Sequence, residues 1–576
     1  MKKSCDVLVV GSGAGGMAAA LTARLHGLDV LLVEKEDLLG GGTALSFGTL
    51  WMPCNPVAAR LGIADDAAAA TTYLRRELGE QYDAVKVQAY LENGPRMVEY
   101  FERNTAVRFD CRMGYPDYHS EYPGASAGGR TIFVSPFDGR ELGKDVARLR
   151  PPLKTATIMG MMYSPNELTY LQTFSRSWAS FSYVARRFLH HCGDVLRHGR
   201  TMWLTNGNAL AARLMRSAID LGIPMITSSP MQELIVEHGR IKGARVRIQG
   251  ELSDIEARRG VVLACGGFGH DIERCRELFT RPQLDGMNWS LAPEGNRGEG
   301  MRAAEAAGAQ IDRDAANAGF WSPVSRVPSG AIAGHYHERQ RPGFLAVTRQ
   351  GKRFANEALS YHHFGAAIVQ AAAPGEEPVA YLIGDHKSVR RNGCGNAVLP
   401  APFPLGRHVR SGYLMRADTL RELAQRAGID GDALEQTVAQ FNRHAAQGKD
   451  PDFRKGESVY DRYFADPNHQ PNGCLGPIEQ GPFYAVRITA AHMATLAGVK
   501  ADVFGRVLDA AGSPIPGLFA AGNDMSNLFG GHCPGGGITL GPGMTFGYLT
   551  GRYLAGVEPV QAEEGMTEPA PAARAA

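Results

Sequence analysis

The sequence predicts an α/β protein in which a domain built on a parallel sheet is interrupted by an inserted α+β segment. Three observations carry this. Residues 6–10, Asp-Val-Leu-Val-Val, form a β-branched apolar run that leads into Gly11-Ser12-Gly13-Ala14-Gly15-Gly16 and an Ala-rich helix from Met17 to His26. A second apolar run, residues 29–33, ends in Glu34, followed by Lys35. Nearly 500 residues later, Pro516 to Asp524 reads as another strand running into glycine and an acid, with a glycine-dense helix start at Gly535 to Gly541.

The first two elements make a βαβ unit of Rossmann type. Gly11 makes the turn, Gly13 lets backbone approach a pyrophosphate, and Gly16 permits close helix–strand packing. Ala14 and Gly15 belong to the same cofactor-binding turn, which leads into a helix N-terminus that favours phosphate. Glu34 stands where an acid can hydrogen-bond a ribose. The unit predicts dinucleotide binding.

Two further segments choose FAD over NAD. Gly40 to Gly48 lies a few residues beyond Glu34, and its small residues, Gly41, Gly42, Thr43, Ser46 and Gly48, let backbone pass a diphosphate and a flat ring. At the far end, Gly522, Asn523 and Asp524 precede Gly537, Ile538, Thr539 and Leu540, whose free N–H groups suit the electron-rich edge of a reduced isoalloxazine. A chain that returns to its first cofactor site after so long an excursion fits extended FAD.

Composition removes other classes. Net charge is +2 with no long basic run, so no nucleic-acid partner is expected. Seventy glycines, about 12% against a usual ~7%, are clustered rather than periodic. Nine cysteines show no CxxC pair, which predicts a reduced cytoplasmic chain without disulfides, structural zinc or other metal. The apolar run after Met1-Lys2-Lys3 is too short for a signal peptide, and no stretch of about 18 apolar residues predicts a transmembrane helix.

Residues 1–280 and 486–557 read as one discontinuous cofactor domain, 281–485 as the inserted catalytic cap, and 558–576 as a disordered tail rich in Ala, Pro and Glu. Asn206 opens a helix to Asp220, residues 234–247 suggest a hairpin, and Met301–Ala307 a helix. A helix pair at 417–427 and 433–444 carries no chemistry. The aromatic stretch 151–200, with Phe174, Trp178 and Phe181, reads as a helical excursion. Its alternative reading is an apolar lid or a surface for peripheral membrane contact.

The sequence resembles the flavoprotein superfamily of fumarate reductases and 3-ketosteroid dehydrogenases over residues 5–555. The resemblance rests on the N-terminal fingerprint, on Val261 to Phe268 with its Cys265-Gly266-Gly267, on Gly351 to Glu357, and on Ala521-Gly522-Asn523. It implies a glutathione-reductase-type cofactor domain. No histidine stands in Gly40–Gly48, where covalent members attach their flavin, so FAD is expected to be non-covalent.

Dehydrogenation beside a ketone needs a base for the α-proton, donors for the carbonyl oxygen and an acceptor for the β-hydride. The resemblance implicates Tyr361, in Asn356-Glu357-Ala358-Leu359-Ser360-Tyr361, as the base. It places Tyr118, in Tyr115-Pro116-Asp117-Tyr118, as its assistant, and Gly537 as a carbonyl donor. The family carries Tyr-Pro-Gly-x-Gly where this chain has Cys533-Pro534-Gly535-Gly536-Gly537. A thiol is a weak donor, so His532 or another group is left to compensate. The implied activity is desaturation of a 3-oxosteroid or similar bulky, hydrophobic cyclic ketone, by trans removal of a proton and a hydride. Alternatives are a Δ4-(5α) ketosteroid dehydrogenase, a fumarate-reductase-type reductase, or a flavin-binding sensor without turnover. The reductase reading is weakened by Tyr361 and Cys533, which stand where reductases carry arginines. It is supported by His492, at the place of their substrate-binding histidine. No segment selects an electron acceptor.

Overall fold

The computed structural model describes residues 4–167, 170–171, 174, 177–279 and 289–557. β1 (Ser4–Val10) and β2 (Val30–Val33) pair in parallel around α1 (Ala14–Leu25). Val7, Leu8 and Val9 are fully buried, as an interior parallel strand with both faces covered requires. The helix begins three residues before the position read from sequence, because the glycines themselves form its first turn. Gly16 is needed for packing: a Cβ there would lie 2.9 Å from the Ala264 Cβ.

The chain continues through α2 (Ala67–Leu78), α3 (Trp178–His198) and α4 (Asn206–Asp220) to β3 (Met225–Ile226), β4 (Met231–Glu237), β5 (Arg240–Ile248) and β6 (Glu251–Leu263). The long β6 lies beside β1 in parallel and pairs antiparallel with β5 in the hairpin extension.

A second, antiparallel sheet follows. It comprises β7 (Gly319–Arg326), β8 (Ile332–Gly334), β9 (Phe344–Val347), β10 (Val379–Asp385), β11 (Met415–Ala417) and β12 (Phe483–Thr495). The order is β8-β7-β12-β10-β9, with β11 also on β12. Its central strand runs to Thr495, beyond the return point expected at 485, and the boundary expected at 280–281 lies outside the described residues. So does the segment 558–576. α5 (Tyr361–Ala371) packs across this sheet. α6 (Leu420–Ala427) and α7 (Gly431–Ala446) start at Thr419 and Asp430, whose side chains accept from the first-turn N–H groups. α8 (Val459–Tyr463) precedes β12.

β13 (Arg506–Leu508) and β14 (Pro514–Ala520) then rejoin the first sheet, giving β13-β14-β6-β1-β2-β3. α9 (Leu540–Leu554) lies on α1 through Gly547 and Gly551, where a side chain at Gly551 would strike Thr22 and the Ala19 carbonyl. Both ends of the cofactor motif are thereby locked to each other. Among the described residues no helix is long and apolar enough to cross a membrane.

Candidate active site

One elongated cavity runs from the N-terminus of α1 to a cluster of tyrosines under the second sheet. At the first end its wall is mostly backbone: Gly13, Ala14, Gly15 and Gly16, then Gly42, Thr43 and Ser46, then Gly522 and Asn523. Thr43 ties two of these segments by accepting from the Ala14 N–H at 2.9 Å. Gly13 is extended and caps α1 without a side chain, so the first turn faces the cavity. A Cβ on Gly13 would meet only Thr43 Oγ1, at 3.8 Å, and would occupy cavity space. Helix-terminal N–H groups beside a glycine cradle fit a pyrophosphate, and the strip Gly266, Gly537, Thr539 and Leu540 continues the wall inward.

Several residues expected on this wall stand behind it. Glu34 accepts from Ser12 N (3.0 Å), Ser12 Oγ (2.6 Å) and Glu36 N (3.1 Å), so its carboxylate is held by the glycine turn after β1 and by its own loop; burial pushes its pKa up against those bonds. Lys35 pairs with Glu299 at 2.6 Å. Asp524 accepts from Cys265 N (2.6 Å) and Gly267 N (2.9 Å), which fastens the end of β6 to the end of β14. Gly11, Gly41 and Gly48 supply turns at positive φ, and Ile538 is a core residue. These side chains shape the cradle without lining it.

At the other end, Tyr118 Oη donates to Tyr361 Oη at 3.2 Å, and Tyr115 Oη lies 3.4 Å from Tyr118 Oη. All three line the cavity, with Tyr336 and Tyr460. The Tyr460 ring packs 4.8 Å from that of Tyr118, and the Tyr336 ring 5.9 Å from that of Tyr361.

Buried polar networks place these tyrosines. The loop of Tyr118 is pinned by Asp117, which accepts from Trp51 Nε1 (2.8 Å), Ser126 N (2.9 Å) and Arg130 (2.8 Å). Burial raises Asp117 to about 6 against the opposing Arg130 charge. The Tyr118 N–H donates to the Pro534 carbonyl at 3.0 Å, docking this loop on the glycine-rich segment. Tyr361 is the first residue of α5, capped by Ser360. Just upstream, Glu357 is fully buried and holds Arg353 through two 2.8 Å bonds, with Lys455 at 3.4 Å. The Gly351–Glu357 motif therefore anchors α5 and does not itself reach the cavity.

Three sequence candidates are placed elsewhere. Cys533 is fully buried off the cavity wall, its Sγ 3.6 Å from the Gly535 carbonyl, and burial drives its thiol well above the ordinary value; no thiolate nucleophile is available there. His532 turns away, within electrostatic reach of Glu77 and His119, and burial lowers its pKa. His492 donates to the Gly269 carbonyl at 2.7 Å, packs on Phe279 and is held near 4 by burial, so it does not serve the cavity. Gly537, by contrast, lines the cavity at φ +110°.

Sequence reasoning missed Tyr336, Tyr460 and Arg112, all on the wall. Each comes from a segment with no recognisable motif. Arg112 is the one residue there with a permanent charge, among the described residues.

Comparison with known proteins accounts for this geometry. A family model described as "FAD binding domain" matches residues 6–540. The chain is 38% identical to a 4-oxocyclohex-2-ene-1-carboxylate 5-dehydrogenase of Sinomonas cyclohexanicum, over 96% of this chain and 94% of that one. It is 37% identical to a 3-oxosteroid 1-dehydrogenase of Mycobacterium tuberculosis, over 96% and 98%. Its structure superposes with TM-score 0.89 at 35% identity on a 3-ketosteroid Δ1-dehydrogenase from Sterolibacterium denitrificans in complex with 1,4-androstadiene-3,17-dione, covering 97% of this chain and 100% of that one. The chain belongs to this family of FAD-binding oxidoreductases, which includes the 3-oxosteroid dehydrogenases.

Proposed function

We propose that the protein desaturates a C–C bond next to the carbonyl of a bulky cyclic ketone, of the 3-oxosteroid or 4-oxocyclohexanecarboxylate class, with Tyr361 as base. The observation that carries this is the pair of cavity-facing hydroxyls, Tyr118 and Tyr361, 3.2 Å apart. Bound non-covalently, FAD supplies the acceptor for the hydride that leaves the β-carbon. The rest falls to the chain. Tyr361 Oη receives the α-proton, and Tyr118, donating to that same oxygen, stabilises the phenolate that does so. Burial nevertheless raises Tyr361 well above the ordinary tyrosine value, more than the Tyr118 bond lowers it. The resting side chain is therefore a phenol, and its small ionised fraction is a strong base.

The carbonyl oxygen, gaining charge as the proton leaves, needs donors. Gly537 N–H takes one position. Cys533 is off the wall, so the Tyr460 hydroxyl is assigned the other. The aromatic lining suits a fused or substituted ring, and Arg112 offers a carboxylate-bearing ring a counter-charge.

The exposed face of α3, with Trp178, Leu189 and Leu196 at 80%, 70% and 88% exposure, is read as the membrane contact from which such a substrate partitions. Loss of vesicle binding on Leu196→Glu would bear this out, and unchanged binding would remove it. The nine free thiols suit a reducing cytoplasm.

The test is anaerobic mixing of the FAD-loaded protein with a 3-oxo-4-ene steroid and, separately, with 4-oxocyclohex-2-ene-1-carboxylate. At least one is expected to bleach the flavin, while fumarate leaves the reduced protein unoxidised. Reoxidation by fumarate with no bleaching by either ketone would overturn the assignment.

A further inference from the structure

We propose that Glu77, His119 and His363 form a binding site for one divalent transition-metal ion of the zinc class, outside the flavin cavity. Glu77 lies in the last turn of α2, His119 follows Tyr118 in its loop, and His363 lies in the first turn of α5. The two Nε2 atoms face each other at 3.2 Å. From the Glu77 carboxylate, Oε2 lies 3.8 Å from His119 Nε2 and Oε1 lies 3.7 Å from His363 Nε2. These contacts are too long for hydrogen bonds, yet Glu77 is only 6% exposed and its Oε1 is buried without a hydrogen-bond partner. Buried acceptors are rarely left so.

A cation resolves the arrangement. Zinc binds imidazole nitrogen and carboxylate oxygen at about 2.0–2.2 Å, which puts neighbouring ligand atoms of a tetrahedral centre about 3.3–3.5 Å apart. The separations between the two imidazole nitrogens (3.2 Å) and from each of them to the nearer Glu77 oxygen (3.7 and 3.8 Å) are within a few tenths of an ångström of that.

The outer contacts match as well. His119 Nδ1 is bonded to Glu121 Oε1 at 3.0 Å and His363 Nδ1 to Ser360 Oγ at 2.8 Å. Engaging Nδ1 on each ring turns both Nε2 atoms inward, the usual support of a metal-ligating histidine. The imidazoles keep about a fifth of their side-chain surface exposed, which leaves an entry path. Two histidines and one glutamate with an open fourth position is a zinc-type ligand set. The other candidate cluster, His444, Asp450 and Asp452, lacks this character, because Asp450 is already bonded to Arg353 and the Lys455 N–H.

A bound ion would join the loop of Tyr118 to the helix that begins with Tyr361, making Glu77, His119 and His363 positioning residues for that pair.

The test uses the FAD-loaded protein after chelator treatment and dialysis, titrated with zinc chloride and, separately, cobalt chloride. One equivalent is expected to bind, raising Tm and, for cobalt, adding d–d absorption at wavelengths beyond the flavin bands. Glu77→Gln and His363→Gln are each expected to weaken zinc at least tenfold. Zinc-edge X-ray absorption on the unmutated protein should show two imidazoles and an oxygen, a reading that survives if either variant misfolds. Failure to bind one equivalent, a shell of sulfur or of water oxygens alone, or an affinity in both variants equal to that of the unmutated protein would overturn the site.

Discussion

The two ends of the cavity are built on opposite principles. The nucleotide end is walled by backbone from glycine-rich turns, and its acids, Glu34 and Asp524, bond to the protein's own N–H groups. The tyrosine end is walled by side chains from distant segments, of which Tyr118 and Tyr361 are aimed by the buried polar networks Asp117–Arg130 and Glu357–Arg353. A backbone site tolerates loss of neighbouring side chains but no added Cβ. A side-chain site tolerates small shifts of sequence around it but not loss of a hydroxyl.

The sharpest way to break that contrast is at Gly13. Its Cβ would meet nothing of the protein closer than 3.8 Å, so Gly13→Val is expected to fold with near-normal circular dichroism and purify colourless. A yellow, FAD-replete variant would show that this turn is not the cradle.

At the other end, Tyr460→Phe should lower kcat/KM by about 10²- to 10³-fold, the usual cost of one donor to a developing oxyanion, while Cys533→Ala changes it less than about threefold. Equal losses would return the carbonyl to the 533 segment.

Acidity sharpens the same end. Because Tyr361 is a phenol whose pKa burial has raised, its base form grows with pH throughout the range below that pKa. The expected profile is kcat/KM rising about tenfold per unit from pH 7 to 9. A plateau beginning near neutrality would contradict a tyrosine base.

The smallest effect on chemistry and the clearest on stability is Glu357→Gln. Burial raises Glu357, but Arg353 and Lys455 outweigh it and hold the group near 2, below its unfolded value of about 4.5. Its stabilisation is therefore fully present above pH 4.5 and fades as pH falls toward 2; it amounts to about 3 kcal/mol. The variant should lower Tm markedly at pH 7 and much less near pH 3. A pH-independent difference would show that shape rather than charge anchors α5.

The same contrast explains what could be read from the sequence. A backbone cradle is encoded locally, so Gly13–Gly16, Gly42–Thr43 and Gly522–Asn523 were legible from strand–glycine–helix spacing. Local motifs do not say which way a side chain turns. Lys35 and Asp524 carry the motif yet point to Glu299 and to β6. His532 and Cys533 sit beside Gly535–Gly537 in sequence, but one faces Glu77 and the other the core. Tyr118 and Tyr361 were reachable only through family resemblance, because 243 residues separate the two hydroxyls that meet. Tyr336, Tyr460, Arg112 and the Glu77–His119–His363 triangle have no local signature, since tertiary packing alone brings them together.

The central claim is that a phenolic oxygen, that of Tyr361, removes the substrate proton. The most direct measurement is the single-turnover rate of anaerobic flavin reduction by the active ketone in Tyr361→Phe and in the unmutated protein at the same pH. With FAD bound normally in both, the substitution is expected to slow reduction by about 10²- to 10⁴-fold. Reduction at the unmutated rate would contradict the account.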